Sequence, residues 1–261
     1  MRSIEVFKRH VKEKRAVKII TGIDNYDLTN VASVCRAAQL GLASAVDVAA
    51  NEDVIKVALQ NTKLPVFASS IQPFDLKKAI KWGATAIEIG NYDSLYEKGV
   101  KFGADEIYDI TLETMTLTEK DNVYLSVTIP GCIPIEEQIK LAKKLELLGV
   151  DLIQTEGIKP INVNNKTIAS DMLAASHMTI SNTLEIAKVV SIPVMSASGI
   201  SANNVQLAFD AGASAVGVGT YVNKLRTQVA MNQAVREIVG AIAYKDVQKL
   251  KEEKVIKSYF I

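Results

Sequence analysis

The sequence predicts an α/β protein in which eight parallel strands and their helices close into one (β/α)₈ (TIM) barrel. Three observations carry this prediction. Short apolar runs alternate with amphipathic stretches, eight such runs occur, and a parallel sheet with helical crossovers produces this alternation. The length of 261 residues also matches the roughly 250 residues of this fold. We therefore expect residues 1–261 to form one domain.

The eight apolar runs are the predicted strands. Strands covered by helices on one face and packed in a barrel core on the other read as short, nearly continuous apolar runs. In chain order the predicted strands are 17–20, 45–48, 66–69, 86–89, 124–128, 152–155, 194–197 and 215–218.

Amphipathic helices are predicted between the strands. After the fifth strand, apolar residues recur at steps of three and four, as a helix with one apolar face requires. These residues are Ile135, Ile139, Ala142, Leu145 and Leu148. Glycines stand where a left-handed residue often ends a helix, at Gly41, Gly83, Gly149 and Gly212.

Both ends of the chain are predicted to be helical. Residues 1–15 are rich in basic residues but lack the apolar core of a signal peptide, and we expect a helix that caps the bottom of the barrel. Residues 243–261 place apolar residues among lysines, which predicts a C-terminal helical extension that docks on the barrel or on a second subunit. The second option would make the protein a homo-oligomer.

Composition argues against several classes of partner. Thirty basic and 29 acidic residues leave a net charge of +1, so we expect neither nucleic acid nor membrane as a partner. Every apolar stretch is shorter than the roughly 20 residues of a membrane span. Only Cys35 and Cys132 are present, in no metal-ligand spacing, and we predict no metal site.

A phosphate site is predicted after the last two strands. In TIM barrels the active site lies at the carboxyl ends of the strands, and the loops after strands seven and eight commonly hold phosphate. Glycines there let backbone N–H groups approach an anion. The predicted phosphate-binding residues are Ser198, Gly199, Ile200, Gly217, Gly219 and Thr220.

Isolated charges within the apolar strands are the catalytic candidates. Lys18, Asp47 and Glu88 each stand among apolar neighbours, and Glu156 lies at the exit of the sixth strand. Buried charge is costly unless it is paired or functional. A structural Lys18–Asp47 pair, proton transfer next to a carbonyl by the carboxylates, and Schiff-base formation by Lys18 all remain open. The sharpest hypothesis is that Lys18, Asp47 and Glu88 face one another inside the upper barrel.

Neutral polar residues near the strand ends are the substrate-binding candidates. Hydroxyl and amide groups at this edge of the barrel can hold a substrate through hydrogen bonds. These residues are Asn25, Asn91, Ser126, Gln154 and Ser196. The polar segment 158–166 is the predicted lid over the mouth.

Five segments together resemble a known family. They cover 18–25, 46–49, 87–93, 153–157 and 196–201, within a likeness that spans about residues 15 to 240. The sequence resembles a conserved hypothetical reading-frame family of red-algal plastids and cyanobacteria, uncharacterised in function. The resemblance implies a TIM barrel in the plastid stroma or the cyanobacterial cytoplasm, and it implies no reaction.

Three functions compete at this stage. The leading one is an uncharacterised enzyme, an isomerase, lyase or synthase, that uses acid–base chemistry on a small phosphorylated metabolite and needs no cofactor. The second is an FMN-dependent oxidoreductase, because residues 193–221 look like the flavin-phosphate segment of such barrels. The third is a non-catalytic metabolite sensor or partner-binding protein that keeps the phosphate site.

Overall fold

Eight parallel strands form the closed barrel that the sequence predicts. The computed structural model describes residues 3–158 and 167–259, with the backbone alone at 93, at 120 and from 244 onward. Every predicted strand end lies within one residue of an observed end. The strands are β1 (Ala16–Ile20), β2 (Ala45–Ala49), β3 (Val66–Ser70), β4 (Ala86–Ile89), β5 (Tyr124–Ile129), β6 (Leu152–Thr155), β7 (Val194–Ser196) and β8 (Ala215–Val218).

The barrel is closed by the pairing of β1 with β8, and each other strand pairs with its neighbours in sequence. A fold of this kind is a (β/α)₈ barrel, so the predicted fold class is confirmed. The helices are α1 (Glu5–Lys12), α2 (Leu28–Leu40), α3 (Glu52–Asn61), α4 (Pro73–Lys81), α5 (Asp93–Glu97), α6 (Ala104–Thr118), α7 (Ile135–Leu148), α8 (Ile168–Ala187), α9 (Val205–Asp210), α10 (Thr220–Asn223) and α11 (Gln228–Tyr259).

Helix α1 closes the bottom of the barrel. Phe7 is fully buried, and its ring packs edge-on against Phe67 and Tyr124 at centroid distances of 5.0 and 6.1 Å. The interior layer around it is apolar, with Ala16 and Met195 among its members. Because α1 and this layer fill the lower half of the barrel, polar side chains in the interior are confined to the upper half.

Gly41 does not take the left-handed conformation predicted for it. Its φ is −83°, and the next residue, Leu42, takes the left-handed φ of 67°. Glycine is needed at position 41 for a different reason. A Cβ there would lie 2.4 Å from Cγ1 of Val235, so Gly41 lets α2 and α11 approach closely. Gly83, Gly149 and Gly212 have φ values of 103°, 88° and 101°, as predicted.

Helix α11 covers the barrel with its first half and continues to Tyr259. Among its described side chains, Met231, Val235, Ile238 and Ile242 are buried against the outer layer. The docking of residues 244–261 and the predicted lid residues 159–166 lie outside the described side chains. Across the described ranges, the helices are too short or too polar to cross a membrane.

Candidate functional site

Three charged side chains meet inside the upper barrel. Lys18 Nζ lies 2.9 Å from Asp47 Oδ2 and 2.7 Å from Glu88 Oε2, and none of the three residues is more than 1% exposed. The strand register pairs Lys18 with Ala45, so the contact with Asp47 runs diagonally up the barrel wall. One ammonium group therefore bridges two carboxyl groups in the protein interior.

Neutral side chains extend this contact into a closed circuit. Glu88 Oε1 accepts from Thr128 Oγ1 at 2.7 Å, and Thr128 Oγ1 accepts from Gln154 Nε2 at 2.9 Å. Gln154 Nε2 also donates to Asn91 Oδ1 at 2.8 Å, and Asn91 Nδ2 donates to Asp47 Oδ2 at 3.0 Å. We call this circuit the polar ring; its members are Lys18, Glu88, Thr128, Gln154, Asn91 and Asp47.

The ring fixes the orientation of its two amides. A carboxylate only accepts hydrogen bonds, so Asp47 requires Asn91 to present its NH₂ group. Asn91 Nδ2 also contacts Ser69 Oγ at 2.9 Å, and Ser69 donates to the other Asp47 oxygen. Asn91 Oδ1 therefore faces Gln154 and accepts a hydrogen bond from the Gln154 NH₂ group. Gln154 Oε1 is left buried without a hydrogen-bond donor among the described residues.

Burial and neighbouring charges shift the pKa values of Lys18 and Glu88. Burial alone would lower the pKa of Lys18, but the carboxyl groups of Asp47 and Glu88 outweigh it and raise that pKa above its usual value. Burial raises the pKa of Glu88; Lys18 opposes this shift and the charge of Asp47 reinforces it. An ammonium held in this way is a poor nucleophile at neutral pH, which argues against a Schiff base at Lys18.

A cavity of about 420 Å³ opens directly above the ring, at the carboxyl ends of the strands. It is lined by the loops that follow β1, β4, β6, β7 and β8. The sequence-predicted residues that line it are Asn25, Asn91, Glu156, Ser198, Gly199, Gly219 and Thr220. Asn91 is the ring member among these lining residues, so it is the link between the polar ring and the cavity.

The loops after β7 and β8 form one wall of the cavity. Ser198 and Gly199 both have a φ of 73°, a conformation that for serine is sparsely populated and recurs at ligand sites. A Cβ on Gly199 would lie 2.1 Å from the Met172 carbonyl oxygen, so the loop packs tightly on α8. Among the described residues, neither Gly199 nor Gly219 donates its backbone N–H to a turn or loop carbonyl.

Four residues predicted near the ligand lie elsewhere. Ile200 is 2% exposed, belongs to the apolar core and is not among the residues that line the cavity. Gly217 lies inside the barrel, where a Cβ would meet Ala197 at 2.9 Å. Ser196 points outward, because its hydroxyl accepts from Thr183 of α8 at 3.0 Å. Ser126, which pairs in register with Glu88, is also buried below the cavity.

Glu156 is a buried carboxyl group on the cavity wall, only 2% exposed. Its Oε1 accepts from the Tyr96 hydroxyl at 2.5 Å and from the Gly131 N–H at 3.2 Å. Burial, followed by the charge of Glu156, raises the pKa of Tyr96 far above its usual value. Tyr96 therefore stays protonated and holds the carboxyl group in place as a donor.

Asn30, Asn223 and Lys224 also line the cavity but were not singled out from the sequence. Asn30 Oδ1 accepts from the predicted Asn25 at 2.8 Å, and Asn223 Nδ2 donates to the Ile20 carbonyl at 3.2 Å. Lys224 is the cavity's lysine, on the wall after β8. A basic residue six positions after β8 was the available signal for it. Within the described chain, no group of three His, Cys, Asp or Glu side chains is arranged to hold a metal ion.

Comparison with known proteins gives a consistent family and fold. A family model described as "Protein of unknown function (DUF561)" matches residues 1–248. The chain is 37% identical over 238 residues to "Uncharacterized protein ycf23" of Cyanophora paradoxa, covering 91% of this chain and 96% of the relative. It is 35% identical over 231 residues to the Porphyra purpurea protein of the same description, covering 88% and 86%.

Among solved structures, the fold is similar to (S)-3-O-geranylgeranylglyceryl phosphate synthase from Thermoplasma acidophilum. The TM-score is 0.63 at 13% identity, and the match covers 93% of this chain and 98% of the other. That structure is a complex with sn-glycerol-1-phosphate. The resemblance to a reading-frame family of red-algal plastids is confirmed, and the barrel shares its fold with this synthase.

Proposed function

Because the chain belongs to the DUF561 family, whose description assigns no reaction, we propose a function from the site itself. The barrel binds a small phosphorylated metabolite in the cavity above the polar ring. It then acts on that metabolite as an isomerase or lyase, by proton transfer at a carbon next to a carbonyl.

The wall formed by the loops after β7 and β8 is the observation that carries this proposal. Backbone N–H groups that are not used within the fold are the groups that hold phosphate in many α/β proteins. Gly199 and Gly219 bring the backbone to the cavity edge, and Lys224 adds a positive charge on the same side. A synthase of similar fold is solved in complex with sn-glycerol-1-phosphate, which supports a phosphorylated ligand for this fold.

Glu156 is the proposed acid–base residue because its carboxyl group lies on the cavity wall. Lys18, Asp47 and Glu88 do not line the cavity, and we propose that they act from beneath it. Burial raises the pKa of Glu88, and Asn91 connects the ring to the cavity through its contacts with Asp47 and Gln154. Asn25 and Asn91 use their NH₂ groups within the fold, so each would bind the substrate through its amide oxygen, which can accept a second hydrogen bond.

Two alternatives make different demands on the same cavity. An FMN-dependent oxidoreductase would place the flavin phosphate on the β7 and β8 wall, and the purified protein would be yellow. A metabolite sensor would bind phosphate compounds without turnover. The algal origin of the relatives leads us to propose the plastid stroma, or the cyanobacterial cytoplasm, as the site of action.

Phosphate binding is tested by thermal unfolding. We expect inorganic phosphate to raise the Tm, because a ligand at a hundredfold excess over its Kd stabilises the folded state by about 2.7 kcal/mol. Gly219→Asp should abolish this shift by placing a negative charge in the anion site. The nearest atom to a Cβ at position 219 is 3.7 Å away, so the variant should fold.

Gly240→Asp is the matched control, because Gly240 is an exposed glycine with no atom within 4 Å of an added Cβ. It should keep the full phosphate shift at equal ionic strength. If Gly219→Asp folds and retains the shift, phosphate binds elsewhere and the proposal is wrong. Gly199 is unsuitable for this test, because any side chain there would collide with α8.

A further inference from the structure

We infer that the ligand is a phosphodiester whose phosphate carries an apolar group on the side of the surrounding helices. This inference rests on the proposed phosphate site, and it makes the phosphate an internal group that joins the reacting part of the ligand to an apolar part. Three features support it: a second cavity beside the phosphate wall, the apolar lining of that cavity, and the hydrogen bonds that its polar side chains already make.

A second cavity, of about 410 Å³, adjoins the phosphate wall. We call it the helix-side cavity, because it is bounded by the start of α8, by α10 and by the first turns of α11. Thr220 and Lys224 line both this cavity and the one above the polar ring. A phosphate held by Gly219 and Lys224 therefore lies at the boundary between the two cavities, and a group attached to it can extend into either one.

Apolar side chains form most of the lining of the helix-side cavity. They are Ile168, Met172, Tyr221, Leu225, Ala230 and Ala234. Ile168 is 62% exposed although its side chain is large and apolar. Ligand sites are typically concave and mostly apolar, with a few polar groups that fix the orientation of the ligand. The helix-side cavity has this character, and an apolar group bound there would remove exposed apolar surface from water.

The polar side chains of this lining use their hydrogen-bonding groups on one another. Glu237 Oε2 accepts from the Tyr221 hydroxyl at 3.2 Å, and Glu237 Oε1 accepts from Gln233 Nε2 at 3.1 Å. Both carboxylate oxygens are thus engaged. The negative charge of Glu237 also disfavours a second anionic group in the same cavity. A neutral apolar substituent therefore fits the helix-side cavity better than a terminal phosphate or carboxylate does.

The position of Lys224 sets the order of the parts of the ligand. Among the described residues that line the two cavities, Lys224 is the cation, and it belongs to both linings. An internal phosphate pairs with it at the boundary. The reacting part then faces Glu156 and Asn91 in the first cavity, and the apolar part enters the helix-side cavity.

A series of alkyl phosphates tests the inference. Methyl, butyl and hexyl phosphate share the phosphate and differ only in apolar length. We expect calorimetric titration of the full chain to give a Kd that falls about two- to fourfold for each added methylene, so that hexyl phosphate binds at least about thirtyfold more tightly than methyl phosphate. Ala230→Leu places a larger side chain in the helix-side cavity. It should remove most of this dependence on chain length, while inorganic phosphate still raises the Tm.

Val229→Leu is the control on the same helix, because Val229 is 81% exposed and is not among the residues that line either cavity. It should keep the full dependence on chain length. Equal Kd values for methyl and hexyl phosphate in the wild-type chain overturn the inference and leave the phosphate site intact. A dependence that Ala230→Leu retains places the alkyl chain elsewhere and also overturns it.

Two further outcomes separate this inference from its competitors. A lower sedimentation mass for Ala230→Leu than for the wild type would assign the helix-side cavity to a second subunit and overturn the inference. If neither inorganic phosphate nor any ester binds, the proposed function itself fails and the inference fails with it. The comparison among esters uses the wild-type protein, so it remains decisive even if Ala230→Leu does not fold.

Discussion

At the scale of single residues, the polar ring is held together by Lys18. Removing charges from water is expensive, and a buried ion pair offsets this cost only when hydrogen bonds satisfy its remaining atoms. Asp47 and Glu88 both receive such bonds, from Ser69, Asn91 and Thr128. Lys18 is the only described cation in the ring, so both carboxyl groups depend on it.

Lys18→Met should destabilise the protein by about 3–5 kcal/mol, because it leaves two buried carboxyl groups without their cation. Denaturant unfolding at neutral pH measures this loss. The deficit should shrink on acidification, since protonated carboxyl groups tolerate burial. Lys56→Met is the control, because Lys56 is an exposed partner of Glu52 and its removal should change stability by less than about 1 kcal/mol. Equal losses in the two variants would contradict the role given to Lys18.

The pH dependence of the wild type follows from the directions of the shifts. Because the pKa of Lys18 is raised in the folded state, its contribution to the free energy of unfolding is complete below the ordinary lysine pKa. That contribution is lost as the pH rises through the pKa of Lys18 in the folded protein. The raised pKa of Glu88 means that its contribution is largest in acid and declines as the pH rises above the ordinary carboxyl range. For each group, the free energy of unfolding therefore falls as the pH rises from its ordinary pKa to its pKa in the folded state.

The sequence identifies the ring charges but not every contact. Lys18, Asp47 and Glu88 are visible because a charge within an apolar strand must be paired or functional. Thr128 cannot be recognised from the sequence in this way, because threonine is common in strands whether or not it has a functional role. The sequence predicts Ser196 at the substrate, whereas its side chain points outward to α8. Its neighbours within residues 194–197 are all small or apolar, and without period-two alternation the sequence does not distinguish the inner face of the strand from the outer one.

At the scale of elements, α1 closes the lower end of the barrel. Its Phe7 fills the space between Phe67 and Tyr124. The sequence predicts the capping helix but not this packing of its side chains. The sequence could not indicate which residue enters the barrel, because the helix places Val6 and Phe7 on different faces. The role of Gly41 was likewise not predictable from local sequence, because it depends on a contact with Val235, nearly two hundred positions away in the chain.

Phe7→Ala should destabilise the protein by about 3–5 kcal/mol, because it removes a fully buried ring and leaves a cavity inside the barrel. Val6→Ala on the same helix is the matched control, since Val6 is 40% exposed and should lose little stability. Chemical denaturation of both variants measures the difference. A small loss in Phe7→Ala would show that α1 covers the barrel without contributing to its core.

At the scale of the whole molecule, the barrel interior changes from apolar at the bottom to polar at the top. The lower layer surrounds Phe7, the polar ring lies above it, and a cavity opens above the ring. Closure of the barrel brings the members of the polar ring together, because they come from five strands and the loop after β4. The sequence predicts the barrel from local periodicity, whereas the cavity depends on loops whose paths are set by distant packing, such as the Lys98–Asp24 pair.

The last helix is the longest of the described helices. Helix α11 has 32 residues, a length of about 48 Å at 1.5 Å per residue, and its side chains are described as far as Ala243. We expect a chain that ends at Ala243 to keep its Tm within a few degrees and its phosphate response, and to sediment at a lower mass than the full chain. The reason is that the sequence continues with apolar residues at Val247, Leu250 and Val255 among lysines, a pattern that predicts an apolar stripe, and we expect a second subunit to cover it. Analytical ultracentrifugation gives the mass and calorimetry gives the Tm. A large fall in Tm at constant mass would instead place residues 244–261 on their own barrel, and no change in either quantity would exclude both docking sites.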